Sequence, residues 1–136
     1  MTRSHDDAAN ICKPKGKLFE PMSTDFANDN DYKAITAKYA KIYPDKDDSW
    51  IGIKDNTADG TADNWIYISS NDVVKDFFWK GSGDKQQPKN GNGECLFFSG
   101  NNAKWSNGGC DTTKNFICEF TGKVKEVSDN SFSLRN

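Results

Sequence analysis

The chain has 136 residues, enough for one domain built around one core. Its 18 basic and 20 acidic residues leave a net charge of −2, so there is no basic field to hold nucleic acid. No apolar run of about 18 residues exists, so nothing spans a membrane.

The mean hydropathy is −0.85. Yet Phe stands at nine positions and Trp at four, which supplies a core. The polarity comes from Asn, Asp, Lys and Gly, the residues of loops, and reads as high loop content rather than disorder. The first seven residues are polar and lack the apolar segment of a secretory signal.

Ser4 can cap a helix, with Asp7 three residues on and acids at Asp6 and Asp7 suiting its positive end. Ala8, Ile11 and Cys12 give that helix one apolar face, and Pro14 and Gly16 stop it. His5, the single histidine, is read as solvent-exposed. Leu18 and Phe19 form a short apolar piece closed by Pro21. A second helix is expected over 31–42, where Tyr32, Ile35, Tyr39 and Ile42 recur at intervals of three and four and Pro44 follows.

The period then changes. Ser49 to Ile53 reads as a strand, with Gly52 marking a close backbone approach or a bulge. Residues 55–64 read as a solvated loop: the spacing of Asp55, Asp59 and Asp63 fits no compact calcium cycle. Trp65 to Ile68 is a second strand, and Trp50 and Trp65 are placed in the core. The stretch 72–79 fits either a helical turn or an irregular aromatic segment. A long polar loop, 81–94, contains Pro88. Cys95 to Phe98 and Ala103 to Trp105 pair across the turn 99–102, and Asn115 to Phe120 is the last strand. Residues 121–136 read as a flexible polar tail. Helices followed by strands indicate an α+β domain over 1–120.

The four cysteines include no Cys-x-x-Cys pair, and with one histidine they leave no zinc site. Two disulfides are expected, which implies an oxidising compartment. Cys95 with Cys110 would close a hairpin, and Cys12 with Cys118 would join the first helix to the last strand. On the chain-entropy account these closures contribute about 3 and about 5 kcal/mol. Cys110 with Cys118, leaving Cys12 for Cys95, remains open on residue positions alone.

A run of motifs in order resembles the C-type lectin-like domain. They are Asp7 to Cys12, Trp50-Ile51-Gly52-Ile53, Trp65, Trp79, Gln87-Pro88, Glu94-Cys95, Trp105 to Cys110, and Phe116-Ile117-Cys118-Glu119. Together they cover about residues 4–120. The resemblance implies a fold of two helices, small antiparallel sheets and a long loop region. It also implies the nested disulfides Cys12–Cys118 and Cys95–Cys110. It implies a first strand ahead of the first helix, paired with the last strand, so the chain reads as N-terminally incomplete and lacking its signal peptide. The edge of 116–120 is then expected to be unpaired or differently covered.

Sugar-binding members hold one calcium through a Glu/Gln-Pro-Asn/Asp triplet, a glutamate near the third cysteine and an Asn-Asp pair after the tryptophan. Calcium takes about six to eight oxygens, several of them anionic. Here the triplet is Gln87-Pro88-Lys89, with Asn90 or Asp84 able to contribute if the loop shifts register. Glu94 matches the glutamate, and neutral Ser106 and Asn107 stand at the pair. The resemblance places calcium on Gln87, Glu94 and Asn107. It places a glycan on Gln87, Asn90, Glu94, Ser106 and Asn107 with an aromatic, Trp79 or Trp105. One anionic ligand and a lysine in the triplet predict weak or absent calcium dependence. Trp105 is read as packing behind the loop. Pro88 is either the family's cis-proline or an ordinary loop proline.

The expected function is therefore a secreted or extracellular carbohydrate-binding module, with a glycan or glycoprotein as partner and a role in innate defence as the family's common task. The alternative is a domain that has lost sugar and calcium and binds a protein or another surface. An enzyme is not expected: His5 is the only histidine, paired cysteines leave no thiol nucleophile, and no glycine-rich phosphate loop follows a strand.

Overall fold

The computed structural model of the chain describes residues 2–21, 48–57, 64–75, 77, 79–81, 83–99, 104–120 and 123–127. Helix α1 spans His5–Cys12, and the side chain of Ser4 accepts a hydrogen bond from the Asp7 amide, as an N-cap does. The strands are β1 (Gly16–Leu18), β2 (Ser49–Asp55), β3 (Trp65–Tyr67), β4 (Cys95–Ser99), β5 (Lys104–Gly108), β6 (Asn115–Phe120) and β7 (Lys123–Val127). The second helix expected over 31–42 lies outside the described residues.

The α+β class holds, but the strands join in a single sheet rather than several small ones. Its main order is β1-β6-β2-β4-β5, with β3 on β2 and β7 on β6. The named strands pair antiparallel except β2 with β6, where Ser49 and Trp50 run parallel to Asn115 and Phe116. The described residues of 72–79 form no helix and touch the sheet through isolated bridges from Val73 to Ile66 and from Trp79 to Trp105.

Alternation along the strands splits the core between the two sheet faces. One face carries Trp50, Phe97, Phe116 and Leu18, covered by Ala8 and Cys12 of α1. The other carries Ile51, Ile53, Leu96, Phe98, Trp105 and Ile117, covered by Phe19, Trp65, Tyr67 and Val74. Trp50 and Trp65 are core residues, as the sequence indicates. The disulfides are Cys12–Cys118 and Cys95–Cys110, with Cα–Cα distances of 5.4 and 5.2 Å. The first ties α1 to β6. The second ties β4 to the loop after β5.

Three expectations are corrected. His5 is buried, not exposed. Its Nε2 lies 2.8 Å from the Ile51 carbonyl, and its ring meets Trp50 edge-on at 5.4 Å. An imidazole at the first turn of a helix lying on the sheet can give the sheet both an apolar edge and a donor. Second, residues 123–127 of the supposed tail form β7 and pair with Phe116 to Phe120, so the edge of β6 is differently covered, which is one of the two outcomes expected for it. Val124 and Val127 stand three residues apart among lysines and a glutamate, a spacing that gives no strand period on its own. Third, Asp55 belongs to β2 and is buried, its carboxylate accepting from the Thr57 amide and hydroxyl at 2.8 and 3.0 Å.

Gly52 shows why this strand needs a glycine. After the short parallel contact β2 and β6 part, and Phe19 enters the gap: its amide donates to the Ile117 carbonyl, and its carbonyl accepts from Gly52 at 2.6 Å. A Cβ on Gly52 would stand 2.7 Å from Cγ of Glu20 and 2.9 Å from the Leu18 carbonyl. The buried Glu20 carboxylate crosses over the glycine to accept from the amide and hydroxyl of Ser69 at 2.8 and 2.7 Å, and pairs with Lys17 at 3.1 Å.

Candidate functional site

The resemblance places the site on the loop between Trp79 and β4 together with strand β5. The sequence supplies little apolar material between Lys80 and Glu94, so the loop must be held by polar contacts. Its first anchor is backbone. Lys80 donates to the Trp105 carbonyl at 2.9 Å, and Gln87 donates back to the Lys80 carbonyl at 2.8 Å. A short 3-10 turn, Gly83–Lys85, lies between them. The Gln87–Pro88 peptide is cis, which is the family reading of Pro88 rather than the ordinary one.

The second anchor is the Asn107 carboxamide. Its Oδ1 accepts from the Lys89 amide at 2.9 Å, while its Nδ2 donates to the carbonyls of Lys89 and Gly93, each at 2.8 Å. One buried side chain thus fastens both ends of the loop tip to β5. Gly93 (φ 134°) passes so close to Gly108 that a Cβ there would stand 2.0 Å from the Gly108 carbonyl carbon. No other residue type allows that approach. Lys89 turns its ammonium back across the loop to the Asp84 carbonyl.

The structure divides the residues read from the sequence. Gln87, Lys89 and Glu94 are half-buried on the loop, and Asn90 is exposed at its tip. The carboxylate of Glu94 has no ion-pair or hydrogen-bond partner among the described residues. The Glu94 carbonyl accepts from the Asp55 amide at 2.7 Å, fixing the base of the loop on β2. Ser106 and Asn107 do not act together. They are consecutive in β5 and face opposite sides of the sheet: Ser106 stands opposite Phe97, Asn107 opposite Leu96, and both are buried. Trp105 is fully buried and presents no face to a ligand.

As a donor set for calcium these residues fit poorly. Glu94 is the only anionic ligand among the residues at the family's positions. The Asn107 oxygen is buried and already accepts from the Lys89 amide. Lys89 puts a cation on the same loop, held within it by its bond to Asp84. Among the described residues, no three carboxylate, imidazole or thiolate side chains converge. That falls well short of about six to eight oxygens with several charges.

Sequence reading missed the outer part of an aromatic cluster beside the loop. Phe77 stacks on Trp79 at 5.2 Å with 12° between their planes. Trp79, half-buried, is held by Trp65 at 5.7 Å and by Trp105 at 6.1 Å. The available signal was a pair of phenylalanines, Phe77 and Phe78, directly before Trp79 in a polar stretch. Trp65 Nε1 is buried with no acceptor among the described residues.

Residues 1–120 match the family described as the Lectin C-type domain. C-type lectin domain family 3 member A of Bos taurus is 31% identical over 120 residues, covering 86% of this chain and 54% of that protein. Its Homo sapiens counterpart is 31% identical over 97 residues, covering 69% and 45%. The chain thus spans about half the length of the curated relatives it matches. Among solved structures, the mouse scavenger receptor C-type lectin carbohydrate-recognition domain superposes with a TM-score of 0.66 at 23% identity, covering 93% of this chain and 85% of that one. Human lithostathine gives 0.63 at 19% identity, with coverage of 88% and 85%. No helix among the described residues is long and apolar enough to cross a membrane. With the fold, the nested disulfides and these matches in agreement, the chain belongs to the C-type lectin domain family.

Proposed function

We propose that this lectin-like recognition module binds carbohydrate without calcium, as an extracellular, non-enzymatic domain. The observation that carries the reading is the Asn107 clamp. Where a metal would otherwise gather the loop, one carboxamide makes three hydrogen bonds to it. Lys89 adds an internal cation bonded to the Asp84 carbonyl. The loop therefore has a source of order that needs no bound ion. Gln87, Asn90 and Glu94 then offer amide and carboxylate groups to sugar hydroxyls. A carboxylate accepts, and an amide both donates and accepts, which suits a hydroxyl in either role. Two disulfides fit an oxidising, extracellular setting.

A glycan array read with and without a chelator tests this. The expected result is a defined set of glycans whose signal survives chelation. Loss of all signal with chelator would overturn the calcium-free part of the reading. No signal in either condition would overturn carbohydrate binding and favour a protein or surface ligand.

A further inference from the structure

We propose that the Asn90–Gly91 pair at the tip of the loop is a site of spontaneous deamidation, which turns a neutral amide into a carboxylate and lengthens the loop backbone. Asn-Gly occurs at 90–91, 92–93 and 107–108, so the motif alone does not choose among them. The reaction is intramolecular. The amide nitrogen of the following glycine loses its proton and attacks Cγ of the asparagine. The N–Cγ bond forms, the Cγ–Nδ2 bond breaks and ammonia leaves, giving a cyclic succinimide. Water then opens the ring. Attack at Cγ gives aspartate. Attack at the former main-chain carbonyl gives isoaspartate, whose backbone runs through Cβ and Cγ and is longer by an atom. Each residue changed consumes a water and releases an ammonia. Glycine favours the step because it has no Cβ to crowd the ring and its φ is unrestricted.

The structure separates these pairs by the room each has to close that ring. Asn107 is buried in β5, its carboxamide makes three hydrogen bonds, and Gly108 is paired with Cys95 in the sheet. Its Cγ cannot swing back without breaking those contacts. Asn92 is exposed, but Gly93 is wedged against Gly108 and its carbonyl is held by Asn107. Asn90 and Gly91 are both exposed. A Cβ on Gly91 would meet nothing within 4 Å, and the Gly91 amide makes no hydrogen bond among the described residues. The pair sits at the centre of a turn closed by the Asn92 amide on the Lys89 carbonyl at 3.2 Å, with Gly91 at φ 82°. That turn lies between the two points fixed by Asn107, at Lys89 and Gly93. An added backbone atom at residue 90 therefore works against the clamp. Asn90 is also one of the amides offered to a ligand, and a carboxylate there accepts hydrogen bonds but donates none.

The test is peptide mapping of the intact protein after incubation at mildly alkaline pH, beside a sample reduced and unfolded in guanidinium. Unfolded, all these pairs are expected to deamidate at similar rates. Folded, Asn90 is expected to keep most of its unfolded rate, while Asn107 falls at least about tenfold behind it because it must wait for local opening. Isoaspartate is identified by backbone fragmentation and by methylation with an isoaspartyl methyltransferase. Asn90→Gln, whose longer side chain closes a ring far more slowly, is expected to remove the modification at 90 with an unchanged denaturation midpoint. Asn90→Asp supplies the charge without the longer backbone, so the Lys89 amide should exchange with deuterium faster in the isoaspartyl form than in Asn90→Asp. These readouts need no ligand, so the site is tested apart from the carbohydrate reading. Asn90 intact in the folded protein while the unfolded control reacts would overturn the site, as would Asn107 reacting as fast as Asn90. Equal exchange of the Lys89 amide in the two forms would overturn the effect on the clamp.

Discussion

Asn107 carries more of this structure than its place in the sequence indicates. A neutral residue at a family metal position reads as a missing charged ligand, whereas its amide group makes three hydrogen bonds that hold the loop. Asn107→Asp removes both donated hydrogen bonds and sets a carboxylate against the carbonyls of Lys89 and Gly93. The expected loss of stability is about 1–3 kcal/mol, read as a lower urea midpoint in the presence of chelator. Lys89→Asn added to Asn107→Asp raises the oxygen count and removes the cation. That pair is expected to give calcium binding by calorimetry where the parent gives little heat. His5 supplies a second prediction at this scale. Burial pushes its pKa below the ordinary 6.5, a shift that Lys54 reinforces and that the Ile51 hydrogen bond and Asp6 oppose. The unfolded chain therefore takes up the proton first as pH falls. Stability is full above about pH 6.5 and declines as pH drops from there through the lowered folded value. The denaturation midpoint should fall between pH 7.5 and 5, and His5→Gln should flatten that difference.

Among the elements, β2 and β6 set the architecture, and glycine sets their spacing. Gly52→Ala would drive a methyl group against Glu20 and the Leu18 carbonyl. An overpacked core position costs about 1–3 kcal/mol, so a lowered thermal midpoint is expected without a change of fold. The tryptophan strands, the cap at Ser4 and the hairpin of β4 and β5 were legible in the sequence because each depends on local period or capping chemistry. The Phe19 wedge, the Glu20–Ser69 contact and the burial of His5 were not, because each joins segments far apart in the chain. The pairing of β7 with β6 was hidden for another reason: five residues of lysine, valine and glutamate carry no clear strand period on their own. Truncation after Phe120 would strip β7 from β6. Amides of β6 that are protected in the parent are then expected to exchange faster with deuterium, and the truncated chain to self-associate through the freed edge. Unchanged exchange in 116–120 would contradict the pairing.

In the molecule as a whole, one sheet with both faces buried supports a loop region that has little core of its own. Two disulfides fasten the ends of that arrangement. The family fold was readable from four cysteines and the tryptophan motifs in order. The site was half readable, since the scarcity of carboxylates is plain in the sequence while the contacts of Asn107 with the loop appear only when β5 is set against it. The central claim is that the recognition loop is ordered by its own side chains rather than by calcium. A ligand that binds only the folded state raises its stability in proportion to the logarithm of its concentration over its dissociation constant. Thermal melting of the intact protein in millimolar calcium and in chelator therefore tests the claim most directly. The account predicts coincident curves; a midpoint several degrees higher in calcium would contradict it.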